Sequence, residues 1–354
     1  MVRISFIGDV MIGRSFNKIF EQSDKYNYFG DQKEREIGYS SLPSDREYRF
    51  TQSITNKVDL KSNWLSKGEI GPTFYDIFQN NSRYNIWGDT RKHLVNADLT
   101  LCNLKNCITH YPIKFPQKPN CYKLQPQYSD ILKAGGIDYC NLANDHAMDF
   151  MGNGMLDTRY SLNELGIRYT GSGNNIDEAS EPVYFKKKDT TIGILSASDH
   201  YRWFGAEEKI AGIRYIDITQ NGWWNIIKQI QEMKKKCDFI IFSFNWKMKI
   251  NKVESFAKKL IDYGVNVVYG CSAHKILPIE KYKHGLIIYS SGNFIDDYKV
   301  TNHKNNLSYI TDVYVDNGNI YCIKIRPTSR NLHQVNFAKG QDYTTIMKVA
   351  NFTS

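Results

Sequence analysis

The residues able to do chemistry stand in short polar clusters, each directly after an apolar run. Gly8-Asp9 follows the first run and Asn103-Leu-Lys105 the second. Asn144-Asp-His146 and Asp149 follow the next, then Asn245-Trp-Lys247, Cys271-Ser-Ala-His274, and Ser291-Gly-Asn293 with Asp296 and Asp297. Polar turns at strand C-termini are where α/β proteins place their sites. Asp, Asn and His side chains hold hard or borderline cations, and a free imidazole protonates a leaving group. The pattern therefore suits a metal-assisted phosphoryl or hydrolytic centre. Each residue alone also has an ordinary reading. Asp9 could cap the segment after its strand, Asp145 and His146 could shape a turn, and His274 could be a satisfied structural histidine. Cys271 could be a small buried side chain. Lys105, at the mouth of a buried strand, is harder to dismiss: it must snorkel out or find a carboxylate.

The elements that hold these clusters follow from periodicity. Expected strands are Leu99–Asn103, Ile137–Leu142, Ile192–Ser196, Asp238–Phe244, Val265–Tyr269 and Leu286–Ser290, after a first strand over residues 2–7. Expected helices are Tyr128–Ala134, Met155–Leu165, Trp223–Lys235 and Val253–Tyr263. In the last, Val253, Phe256, Leu260 and Ile261 form an apolar stripe that Gly264 ends. This alternation predicts an α/β sheet system. Ser308–Val315 and Asn319–Arg326, joined through Asp316-Asn-Gly318, predict a closing hairpin. Residues 17–69 are polar with sparse apolar periodicity, and read as an irregular excursion or lid on one large domain.

Composition sets outer limits. The chain has 354 residues, 41% of them hydrophobic and 23% charged, which is globular composition. Seven scattered cysteines without a Cys-x-x-Cys pair argue against a disulfide framework or a zinc ribbon. A net charge of +9 favours an anionic small molecule or an acidic polymer as partner. The basic residues are dispersed, so a nucleic-acid-binding module rests on charge alone. No apolar run approaches the roughly 20 residues of a membrane span. The N-terminus meets Arg3 and Gly8-Asp9 too early for a signal peptide, so the expectation is a soluble, intracellular protein.

Several longer segments carry a resemblance. Gly8-Asp-Val-Met-Ile-Gly-Arg14, Ile86-Trp-Gly-Asp89, Ala97-Asp-Leu-Thr-Leu-Cys-Asn-Leu104 and Leu142-Ala-Asn-Asp-His-Ala-Met-Asp149 resemble successive signatures of the poly-γ-glutamate capsule-synthesis CapA family. So do Ala257-Lys-Lys-Leu-Ile-Asp-Tyr-Gly264, Ile279-Glu-Lys-Tyr282 and Ile288-Tyr-Ser-Ser-Gly-Asn-Phe294. The resemblance runs from residue 2 to about residue 298. It implies a metallophosphoesterase-like, calcineurin-like fold: a two-sheet β-sandwich flanked by helices (α/β/β/α), with two metals at the strand ends.

The departures from that pattern fall on its metal ligands. The family reads Asn-Leu-Glu where this chain has Asn103-Leu104-Lys105, so the bridging carboxylate is a lysine. Its Asn-Asn-His is Asn144-Asp145-His146, its His-Trp-Gly is Asn245-Trp246-Lys247, and its Gly-His-x-x-His is Gly270-Cys271-Ser272-Ala273-His274. Asp9, Arg14, Asn103, Asn144, His146, His274 and Asn293 are retained. The resemblance thus implies a degenerate dinuclear site, giving a binding or structural protein or a strongly weakened hydrolase. The alternative is an active hydrolase with one divalent metal (Mn, Zn or Fe) on Asp9, Asp145 and His274, with Cys271 as a further candidate ligand. In that alternative His146 is the general acid, and Arg14 completes the catalytic group with Asp145. The charges at Lys105 and Asp145 look complementary, so the Lys105 ammonium is expected within salt-bridge distance of Asp9 or Asp145.

Overall fold

The computed structural model describes residues 1–30, 83–218, 223–298, 303–331 and 333–350. The chain divides into two compact units: residues 1–18 with 86–354, and residues 19–85. The polar stretch read as irregular from Asn17 begins instead as helix, within α1 (Ser15–Gly30). Residues 31–69, the bulk of the expected lid, lie outside the described residues.

Among the described residues, the larger unit holds two main sheets, of eight and six strands, and two small two-stranded ones. In the first, β1 (Val2–Val10), β2 (Leu99–Leu104), β3 (Tyr139–Asn141) and β4 (Arg168–Thr170) pair in parallel. The second begins with β5 (Val183–Lys187) and β6 (Thr190–Ser198), an antiparallel pair. Next to β6 lie β7 (Phe239–Asn245), β8 (Val267–Cys271) and then β10 (Gly285–Ile288), all parallel, with β9 (Ile279–Tyr282) antiparallel at the edge. The chain then returns to the first sheet. Here β11 (Asn293–Ile295) runs parallel to the end of β1, and β12 (Leu307–Asp316), β13 (Asn319–Asn331) and β14 (Gln334–Phe337) form an antiparallel wing.

Strand alternation explains the layering. Ile4, Phe6, Leu99 and Leu101 from one sheet share a core with Ile192, Ile194, Ile241, Val267 and Tyr269 from the other. Phe6 meets Tyr269 edge to face at 5.2 Å between centroids. The alternate residues of the second sheet, among them Leu195, Ile240, Phe242 and Val268, pack under two helices. These are α6 (Trp224–Met233) and α7 (Ile250–Asp262), the latter through Val253, Phe256, Leu260 and Ile261 as their spacing predicts. On the far side of the first sheet, Thr100 Oγ1 donates to the Leu94 carbonyl of α2 (Thr90–Val95) at 3.2 Å. This is the helix-flanked two-sheet sandwich that the resemblance implies.

Two local expectations are met closely. The β12–β13 hairpin turns on Asn317 (φ 47°) and Gly318 (φ 73°), the positive angles a two-residue type I′ turn needs. Helix α4 (Met151–Glu164) starts four residues before its expected onset, because the chain turns into it at Met151, itself at φ 61°. Helices α3 (Asp130–Ala134) and α5 (Ile176–Ser180) are single-turn connections, and α8 (Gly340–Val349) follows β14.

Candidate functional site

Strand register brings the polar clusters together. Asp9 pairs with Asn103 across β1 and β2, and with Asn293 across β1 and β11. Asn245 pairs with Ser198 on one side and Cys271 on the other. Parallel pairing puts all these strand ends at one edge. The close approach of β1 to the Gly292 turn, where Asp9 N–H donates to the Gly292 carbonyl at 2.9 Å, demands Gly8. A Cβ there would sit 2.1 Å from the Gly292 oxygen.

A continuous polar network crosses the ends of the two sheets. Asn103 Nδ2 donates to Asp9 Oδ1 at 2.8 Å and to Asn245 Oδ1 at 3.1 Å. Asn245 Nδ2 in turn lies 3.2 Å from Asp145 Oδ1. Asn144 Nδ2 ties the next turn to Asn103 Oδ1 at 3.1 Å and to the Leu104 carbonyl at 2.8 Å. Lys105 sits at the centre, with no exposed surface. Its ammonium donates to Asp145 Oδ1 at 2.8 Å and to Ser272 Oγ at 3.3 Å, and lies 3.9 Å from Asp9 Oδ2. Burial alone would lower the Lys105 pKa, yet the carboxylates of Asp145 and Asp9 raise it above the usual lysine value. Burial likewise works against the Asp145 charge, but Lys105, His146 and His200 hold that carboxyl well below the usual range. The pair is therefore charged at neutral pH.

Around this centre lies a cavity of about 450 Å³. Its wall includes Asp145, His146, His274 and Asn293 together with Lys118, Arg330, Asp296 and Asn306. Tyr122, Tyr201 and Tyr298 supply aromatic surface. His146 Nδ1 lies 2.7 Å from Asp149 Oδ2, its Nε2 3.4 Å from Asp145 Oδ2, and its ring stacks on Tyr122 at 4.5 Å. Lys118 pairs with Asp149 at 2.6 Å and Arg330 with Asp296 at 2.9 Å, so the lining cations are matched by carboxylates. His274 Nδ1 lies 3.0 Å from Asn293 Oδ1 and 3.9 Å from Asp9 Oδ2. Arg14 does not line the cavity. It pairs with Asp297 at 3.4 Å and lies over the rings of Tyr122 and Tyr298 at 5.4 and 5.9 Å. Cys271 faces the core between the sheets. Burial, and then the Asp9 charge, push its thiol well above the usual value.

A divalent metal does not fit this arrangement of side chains. Among the described residues, no three His, Cys, Asp or Glu side chains converge as a metal shell requires. Asp9 Oδ2 makes no hydrogen bond, and the Lys105 ammonium and His274 Nδ1 each lie 3.9 Å from it.

Residues 3–298 match the family described as "Bacterial capsule synthesis protein PGA_cap". The chain belongs to this family. A "Probable polyglutamine synthesis accessory protein" of Mycobacterium tuberculosis is 25% identical over 355 residues, covering 92% of this chain and 84% of that protein. The "PGA biosynthesis protein CapA" of Bacillus subtilis is 27% identical over 210 residues, 57% of this chain and 54% of its own length. Among solved structures, a hypothetical protein from Thermus thermophilus aligns at TM-score 0.46 with 11% identity, over 93% of this chain and all of its own. A phosphatase from Mycoplasma pneumoniae aligns at 0.45 with 12% identity over 92% of each chain. At those scores neither bears on function. No helix among the described residues is long and apolar enough to cross a membrane.

Sequence reasoning passed over His200, which comes after β6 just as the other clusters come after their strands, and so obeyed the rule that found them. Burial lowers its pKa to about 4. Lys118, Tyr122, Tyr201 and Tyr298 were also missed. They sit in connections with no local pattern, and only the folded chain brings them to the cavity.

Proposed function

We propose that this chain is a capsule-synthesis-family protein of metallophosphoesterase ancestry in which Lys105 stands in for the metals, leaving a binding cleft in place of a dinuclear hydrolytic centre. One observation carries this reading: the fully buried Lys105 ammonium, 2.8 Å from Asp145 and 3.9 Å from Asp9. A second cation beside that ammonium would be repelled, and removing the ammonium would leave two buried carboxylates unpaired. The cavity wall pairs its cations with carboxylates and adds the amides of Asn120, Asn293, Asn305 and Asn306. Such a lining suits a chain carrying both amide and carboxylate groups more than a bare polyanion. The names of the relatives make a segment of an acidic capsule polymer the natural occupant.

Elemental analysis of protein purified without chelator tests the reading. Less than about a tenth of an equivalent of Mn, Zn or Fe per chain is expected. About two retained equivalents, or chelator-sensitive hydrolysis of p-nitrophenyl phosphoesters, would reject it and restore the metal-dependent hydrolase.

A further inference from the structure

The lysine that displaces the metals also touches a serine. Ser272 comes directly after the last residue of β8 and holds φ at +84°, a left-handed angle that strains any residue other than glycine. His274, two residues on, is also left-handed at φ +54°. This sharp turn at a strand end thrusts the Ser272 hydroxyl between two nitrogens. Lys105 Nζ lies 3.3 Å from Oγ, and His200 Nε2 lies 3.3 Å from it on another side. The backbone N–H of His200 donates to Ser198 Oγ at 3.1 Å, which anchors the residue at the end of β6. The residue after it, Tyr201, lines the cavity, as does Asp145, the partner of Lys105. Ser272, His200 and Lys105 do not themselves line the cavity; Ser272 is buried directly behind that wall and His200 is half-buried.

A serine on a strained strand-end turn, in contact with an imidazole nitrogen, is the geometry of an activated nucleophile. Contacts of this length are usual before a substrate draws the groups together. We propose that Ser272 and His200 form a metal-independent acyl-transfer centre, with the Lys105 charge beside the hydroxyl, that acts on an ester or amide reaching Ser272 from the cavity past Asp145 and Tyr201. In the first step Ser272 Oγ adds to the substrate carbonyl carbon while its proton passes to His200 Nε2. The carbonyl π pair moves onto oxygen as an oxyanion, whose charge the Lys105 ammonium offsets. Collapse breaks the bond to the leaving alcohol or amine, which takes the proton from Nε2. Water then adds to the acyl-serine and gives a proton to Nε2. That proton returns to Oγ as the ester breaks, so the net reaction consumes one water and releases one acid. The proposal rests on Lys105 taking the place of the metals, since a cation pair there would leave it no room.

Covalent labelling of the full-length protein decides the matter. A fluorophosphonate probe should modify one residue, mapped by peptide mass spectrometry to Ser272, and chelator should not change the rate. Ser272→Ala should abolish the adduct, and His200→Gln should slow labelling at least tenfold while leaving the melting temperature within a few degrees. Should Ser272→Ala fail to fold, the mapped adduct and the His200→Gln rate still give the answer. No adduct, an adduct elsewhere, or an unchanged rate in His200→Gln would overturn the proposal and leave Ser272 as a hydrogen-bond partner of Lys105. Labelling at Ser272 in protein that also retains two metals would reject the metal-replacement reading while leaving a reactive serine. Metal-free protein with no adduct would do the reverse.

Discussion

Replacing Lys105 with methionine keeps most of the side-chain volume and removes only the charge. In the native protein the ammonium faces Asp145 at 2.8 Å and Asp9 at 3.9 Å, and none of the three side chains is more than marginally exposed. The variant leaves two carboxylates buried without a cation, which costs about 3–5 kcal/mol when one partner of a buried pair is lost. For a domain of this size roughly 2 °C is lost per kcal/mol, so the melting temperature should fall by about 6–10 °C at pH 7. The pH dependence gives a sharper signature. Asp145 has a depressed native pKa, so its contribution is present above the unfolded value near 4 and is lost as pH falls through the native value. Lys105 has a raised native pKa, so its contribution is present below about 10.4 and is lost as pH rises through the native value. The wild type should therefore hold the pair across roughly pH 4–10. In Lys105→Met the Asp145 carboxyl loses the cation that holds its pKa down and can protonate in mild acid, so the gap to wild type should narrow from pH 7 toward pH 4. Calorimetric scans of both proteins across that range measure it. An unchanged melting temperature at pH 7, or a gap that widens in acid, would refute the reasoning.

Combining Lys105→Glu, Asn245→His and Cys271→His should create metal affinity, seen as a rise in melting temperature on adding Mn or Zn that wild type lacks; the absence of any rise would mean the scaffold no longer positions such ligands. Gly8→Ala should cost about 1–3 kcal/mol in urea unfolding, because its Cβ meets backbone that cannot rotate away; an unshifted midpoint would show that the β1–β11 approach can relax. Away from the site, Asp312 is buried, and hydrogen bonds from His93, Ser5 and Arg326 outweigh burial to lower its pKa. Its contribution should thus be present above about pH 4 and fade below it, with the stability difference between wild type and Asp312→Asn shrinking in acid; a difference constant down to pH 2 would contradict this.

Periodicity alone determined much of the frame. The parallel strands, α6 and α7, and the Asn317-Gly318 hairpin are local patterns of apolar spacing and turn chemistry, and these elements form for reasons contained within about ten residues. The location of the site was equally legible, because polar residues just after buried strands have one place to go when parallel strands align their ends. The pairing of Lys105 with Asp145 could be anticipated too, since a lysine at a buried strand end needs a carboxylate. Contact between distant turns belongs to the tertiary structure. Ser272 and His200 are 72 residues apart in sequence, and only the pairing of β6, β7 and β8 puts their turns side by side. Arg14 matches its family signature, yet packing against Tyr122, Tyr298 and Asp297 holds it off the cavity wall. Cys271 falls at a ligand position in the sequence, and its register with Asn245 turns it to the inner face, where it joins the apolar core between the sheets. Side-chain direction at a strand end depends on twist and on the neighbouring strand's register, and neither is encoded in the few residues around it.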